Sequence, residues 1–69
     1  MANEAAVQKV REIVRTEATE RGVSADDLRV SDVARAMRRE LSDSEFAELS
    51  VEEMFSAWHD VVREEDNGE

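Results

Sequence analysis

Sixty-nine residues without cysteine allow one small domain, and neither a disulfide framework nor a thiolate metal site can reinforce its core. No apolar run approaches the length of a secretory leader or a membrane span, so the expected location is the cytoplasm. The formal net charge is −9 and unevenly placed: residues 1–41 balance, whereas 42–69 hold the whole acidic excess, with Arg63 as their only base.

Proline is absent, and apolar residues recur with period 3.6 and not with period 2. The expected class is therefore all-α, a compact bundle of four to five short helices with short connectors. The first helix is predicted over 4–21, with Val7, Val10, Ile13, Val14 and Ala18 on one face. Glu12–Arg15 and Glu17–Arg21 have the spacing of favourable pairs on its surface. Gly22 stands where a left-handed residue would end this helix, with Val23 placed for the accompanying apolar contact.

Three segments then share one form: an apolar residue, serine, two further residues, a carboxylate and a second apolar residue. They are Val23 to Leu28, Leu41 to Phe46, and Leu49 to Met54. Each reads as a capping box inside a hydrophobic staple. The serine hydroxyl accepts from a free amide of the first turn, and the carboxylate accepts from the serine amide. Aspartate weakens the first box, and Ser31 is a further cap without a carboxylate three residues on. Helices are expected near 25–29, 32–41, 43–48 and 51–65, the last burying Val51, Met54, Phe55, Trp58, Val61 and Val62. Residues 1–63 are expected to form the single domain. Residues 64–69 are expected to be a frayed acidic tail, because carboxylates at a helix C-terminus oppose its dipole.

The constellations that could carry chemistry are few. Ser56, His59 and Asp60 supply the residue types of a hydrolytic triad. All lie within five positions of one helix, which sets Asp60 beside His59 and not behind its ring. No glycine-rich turn offers an oxyanion hole, and a single histidine cannot assemble a di-iron or zinc site. No enzyme activity, cofactor or metal is expected. The serine boxes also fit the Ser-x-x-acidic pattern of acid-directed kinases, although capping explains them fully.

Leu28 to Met37 resembles the first helix of a helix-turn-helix unit. The resemblance implies DNA binding, for which Arg29, Arg35, Arg38 and Arg39 are the candidate contacts. The chain departs from that family after Met37. Arg38-Arg39-Glu40-Leu41 replaces the glycine-containing turn, and the helices in the recognition position open on Asp43-Ser44-Glu45 or Glu52-Glu53, which would face phosphates. The order of helices and the acidity also resemble acyl carrier proteins. Their prosthetic-group motif is missing, since Ser31 is flanked by Val30 and Asp32.

The C-terminal part carries the sharper expectation. All aromatics (Phe46, Phe55 and Trp58) lie there among the excess acids. An amphipathic helix with apolar anchors and a carboxylate-rich flank suits docking on a basic surface. Glu48, Glu52, Phe55, Trp58, Asp60 and Glu64 are the candidate partner-binding residues. The expected function is that of a small acidic regulatory or inhibitory protein, possible as a nucleic-acid-mimicking decoy, that binds a basic protein surface. All but one of the basic residues are arginine, a usage expected of a GC-rich genome or its phages, and a saline cytoplasm is the competing source of the acidity. So small a core also favours self-association as a homodimer.

Overall fold

A computed structural model describes residues 4–67. Four α-helices follow in order: α1 (Glu4–Arg21), α2 (Val30–Glu40), α3 (Asp43–Glu48) and α4 (Val51–Asn67), with a 3-10 turn at Ala25–Asp27 between α1 and α2. No strand occurs among the described residues, and the all-α expectation holds.

Helix α1 ends as its sequence dictates. Gly22 adopts φ 68°. Its amide donates to Thr19 O at 3.1 Å and the Val23 amide to Ala18 O at 3.0 Å, the paired bonds of a Schellman motif. Val23 itself stays 41% exposed, so the expected apolar contact adds little. Helices α3 and α4 open on complete capping boxes. Ser42 Oγ accepts from the Glu45 amide at 3.2 Å while Glu45 Oε1 accepts from the Ser42 amide at 2.9 Å. Ser50 and Glu53 repeat the exchange at 3.1 and 2.8 Å.

The other two predicted caps are overturned. Ser24 makes no side-chain cap, and its hydroxyl donates to Asp27 Oδ2 at 3.2 Å. The cause is tertiary: Ala25 is fully buried, Glu65 Oε1 accepts from its amide at 2.9 Å, and Trp58 Nε1 donates to its carbonyl at 2.8 Å. With Ala25 clamped by α4, the segment closes as one 3-10 turn instead of a helix over 25–29. Helix α2 begins two residues earlier than expected. The Arg29 carbonyl already accepts from the Asp32 and Val33 amides, both at 3.0 Å, which puts Ser31 inside the first turn.

Ion pairs give the relative directions. Arg11 meets Asp60 at 3.0 Å and Arg15 meets Glu64 at 2.7 Å, so α1 and α4 run parallel. Glu17 meets Arg39 and Arg21 approaches Asp32, so α2 runs antiparallel to both. Lys9 reaches Glu45 of α3 at 3.2 Å, across the end where α2 stops and α4 starts. The same contacts hold α4 together to Asn67. Glu64 and Glu65, expected to fray, are tied to Arg15 and to the Ala25 amide, which offsets their conflict with the helix dipole. The last two residues of that expected tail lie outside the described residues.

The core is built from aliphatic side chains and Met37. Val10, Val14 and Val61 are the largest that are fully enclosed, joined by Ala6, Ala18, Ala25, Ala36, Ala57 and the leucines 28, 41 and 49. One carboxylate enters it. Glu17, expected on the surface, is 6% exposed, because it shares the α1 face with Ile13, Val14 and Ala18. It is held by Arg21 at 2.9 Å and Arg39 at 3.2 Å. Of the residues expected to be buried by α4, Val61 is enclosed and Met54, Trp58 and Val62 pack partly against the core. Val51 and Phe55 are not buried.

Candidate functional site

Helices α2 and α4 both lean on α1, yet their Cα atoms nowhere approach within 8 Å of each other. Packed helices sit roughly 8–10 Å apart, axis to axis. The gap leaves an apolar groove of about 270 Å³. Val30, Val33, Ala34 and Met37 form its α2 wall, and Val51, Met54, Phe55 and Trp58 form its α4 wall. Phe46 of α3 closes the end where α4 begins, and Arg38 stands on the α2 rim. Three of the wall residues stay largely exposed: Val30 at 57%, Val51 at 65% and Phe55 at 46%. The periodicity of α4 explains the exposure. Ala57 and Val61 point into the core, while Val51 and Phe55 fall on a neighbouring stripe that no other helix covers.

The two rings on the α4 wall are pinned. Phe55 and Trp58 stack with centroids 6.1 Å apart and planes 13° from parallel. Trp58 is further fixed by its bond to the Ala25 carbonyl, so it serves both the core and the wall. Beyond this ridge lies a shallower, more open hollow of about 530 Å³ that touches Asp26, Glu52, His59 and Asp60.

The structure divides the expected partner-binding set. Phe55 and Trp58 stand together, with Glu52 beside Phe55 on the open hollow. Asp60, which borders the same hollow, and Glu64 are both engaged by arginines of α1. Arg11 and Arg63 both bond the Asp60 carboxylate, at 3.0 and 3.1 Å, and hold its pKa below the usual carboxylate range. Arg15 bonds Glu64 through Nε and Nη2. These acids are therefore neutralised within the chain, and no single acidic strip runs along α4. Glu48 is exposed at the end of α3. A signal for this pairing was present in the sequence: Arg11 and Arg15 repeat the four-residue spacing of Asp60 and Glu64.

The alternative arginine set also separates. Arg39 is occupied by Glu17 and Glu40. Among the described residues Arg29, Arg35 and Arg38 have no ion-pair partner, and all three belong to α2 or its first flanking residue. Ser56 and His59 are exposed, while the Asp60 carboxylate is engaged by arginines. Among the described residues no group of three or more histidines and carboxylates is placed to hold a metal ion, and no helix is long and apolar enough to cross a membrane.

No family model, curated protein or solved structure matches this chain. The groove must be read from its own chemistry. It offers aromatic faces, two methionines that repack easily, and β-branched walls, with a single cation on one rim. Such a surface recognises apolar side chains presented in a row, as on one face of a helix.

Proposed function

We propose that this chain is a small non-enzymatic regulatory or inhibitory protein, acting in the cytoplasm, that docks an amphipathic helix of a basic partner into the α2–α4 groove. The observation that carries the reading is the placement of the aromatics. Phe46, Phe55 and Trp58, the only ones in the chain, all line one groove, while the enclosed core is aliphatic apart from Met37. Rigid rings clustered in a partly open, apolar depression are how binding hot spots are built. A seated helix would cover Val30, Val51 and Phe55.

The preference for a basic partner rests on charge. Glu52, beside Phe55, would meet cations flanking the seated face. Asp60 and Glu64 contribute to the long-range field but are already in contact with arginines. A net charge of −9 steers cations over roughly 8–10 Å at moderate salt. The test is titration with two labelled amphipathic helical peptides of one apolar face, flanked by lysine or by glutamate, followed by anisotropy and Trp58 emission. Micromolar binding of the lysine peptide, weakened by salt and absent in Phe55→Ala, supports the reading. Equal binding of both peptides removes the basic preference, and binding of neither removes the docking function.

A second reading has one observation in its favour. Arg29, Arg35 and Arg38, which have no ion-pair partner among the described residues, share the α2 region, as a phosphate-contacting helix would require. Submicromolar binding of duplex DNA at physiological salt, lost in Arg35→Ala and Arg38→Ala, would install DNA recognition in place of protein docking.

A further inference from the structure

We infer that the open hollow behind the Phe55–Trp58 ridge seats one arginine side chain, supplied by the basic helix that docks in the groove. The inference rests on the docking reading and adds to it which cation the partner carries and where that cation goes.

The ridge is shared by two depressions. Phe55 and Trp58 wall the apolar groove and also border the hollow of about 530 Å³, so a helix seated in the groove lays one flank over the hollow. A carboxylate stands at each end of the ring pair. Glu52 precedes Phe55 by three residues on α4, which makes them neighbours on the helix surface. Asp26 follows Ala25, whose carbonyl accepts from Trp58 Nε1 at 2.8 Å, so the 3-10 turn brings a second carboxylate to the Trp58 side. Both acids border the hollow and are exposed, and neither has an ion-pair partner among the described residues. The third carboxylate there, Asp60, is already bonded by Arg11 and Arg63. Arg63 is the only guanidinium among the described residues of the lining, and it is engaged in that pair. The unbalanced formal charge of the hollow is therefore that of Asp26 and Glu52.

An acidic patch alone takes any cation, and a ring alone takes any apolar group. The two together select a guanidinium over an ammonium. Arginine is planar, weakly hydrated, stacks on ring faces and presents a fork of donors that two carboxylates can share, whereas lysine is a strongly hydrated point charge. Charge also fixes the side of the groove on which the cation falls. Arg38 stands on the α2 rim and repels it there, so the cationic flank of the seated helix turns toward α4 and the hollow.

The experiment titrates the whole chain, by anisotropy at neutral pH, with three labelled helical peptides that share one apolar face. Their flanking positions carry arginine, lysine or citrulline, which keeps the shape of arginine without its charge. Wild type should bind the arginine peptide about threefold or more tighter than the lysine peptide, and citrulline weakest. In Phe55→Leu, which keeps an apolar side chain on the wall, the preference for arginine over lysine should fall toward parity while both peptides still bind. In the double variant Asp26→Asn, Glu52→Gln the gap between arginine and citrulline should shrink about threefold or more. The control Glu12→Gln, Glu20→Gln removes the same charge from exposed positions of α1 outside the hollow and should narrow that gap far less. Circular dichroism should be unchanged throughout, since every substituted residue is exposed. An arginine preference undiminished in Phe55→Leu, or equal effects of the two double variants, overturns the proposal. Equal affinity of wild type for the arginine and lysine peptides leaves docking intact and removes the arginine seat alone, whereas binding of none of the three removes docking and the seat together.

Discussion

Replacing Glu17 by glutamine should destabilise the fold at neutral pH and have almost no effect in acid. Glu17 is the one carboxylate inside the core, and its oxygens accept from Arg21 Nε at 2.9 Å and Arg39 Nη2 at 3.2 Å. Glutamine preserves the shape and one acceptor but loses the charge. A charge-assisted bond is worth about 1.5–3 kcal/mol and a neutral one about 0.5–1.5 kcal/mol. Two weakened bonds would therefore cost roughly 2–3 kcal/mol if fully buried. Both guanidiniums are about half exposed, at 45% and 57%, so water recovers part of that. The expected loss is about 1–2 kcal/mol, which at this size corresponds to roughly 5–15 °C in melting temperature.

The sign of the pH effect follows from the carboxylate. The Arg21 bond outweighs the cost of burial, and with the Arg39 bond it holds the Glu17 pKa below the usual glutamate range. A depressed folded pKa adds stability that is complete above the unfolded pKa and disappears as pH falls through the folded value. Wild type and Glu17→Gln should thus differ at pH 7 and converge well below the ordinary carboxylate range. Urea melts followed by circular dichroism across that interval are the assay. A gap that persists undiminished in acid, or no gap at pH 7, refutes the reasoning.

Ser42→Ala and Ser50→Ala should each cost about 0.5–2 kcal/mol, since each removes a complete box, whereas Ser24→Ala should stay within about 0.5 kcal/mol because Ser24 caps nothing; thermal melts decide. Trp58→Phe keeps a ring beside Phe55 but removes the 2.8 Å bond to the buried Ala25 carbonyl, which then retains only the 3.3 Å bond from Leu28. The expected loss is about 1–2 kcal/mol, with hydrogen exchange accelerated at the 3-10 turn, and unchanged exchange there would show that Trp58 does not hold the turn.

The parts of this fold that were legible are those written in short stretches of chain. The Gly22 stop, the α1 stripe and the boxes at Ser42 and Ser50 each need only a few neighbouring residues, and each formed as read, except that Glu17 joined the stripe. Ser24 carried the same local signal and failed, because Glu65 and Trp58, forty and thirty-three residues away, took both backbone groups of Ala25. The ion pairs of Asp60 and Glu64 were hidden for the same reason. Their acidity was plain, but their neutralisation depends on α1 and α4 lying parallel, which composition does not encode. Long-range partners decided every one of these cases.

Periodicity has a further blind spot, and the site falls in it. A stripe of Val51, Met54, Phe55, Trp58, Val61 and Val62 declares that one side of α4 is apolar, but not which part of that side another helix covers. Ala57 and Val61 meet α1, whereas Val51 and Phe55 face a gap that α2 is too far away to fill. The distribution of side-chain size makes the gap more than a packing defect. A chain limited by its small core gains most by enclosing its largest apolar groups, yet here the enclosed residues are aliphatic apart from Met37, and every aromatic is left at one partly open edge. Covering that edge adds the missing burial, so whatever seats there must also raise the stability of the fold. On the proposed reading, docking would be coupled to folding through the same residues, Val30, Val51 and Phe55, and the melting temperature would report occupancy of the groove.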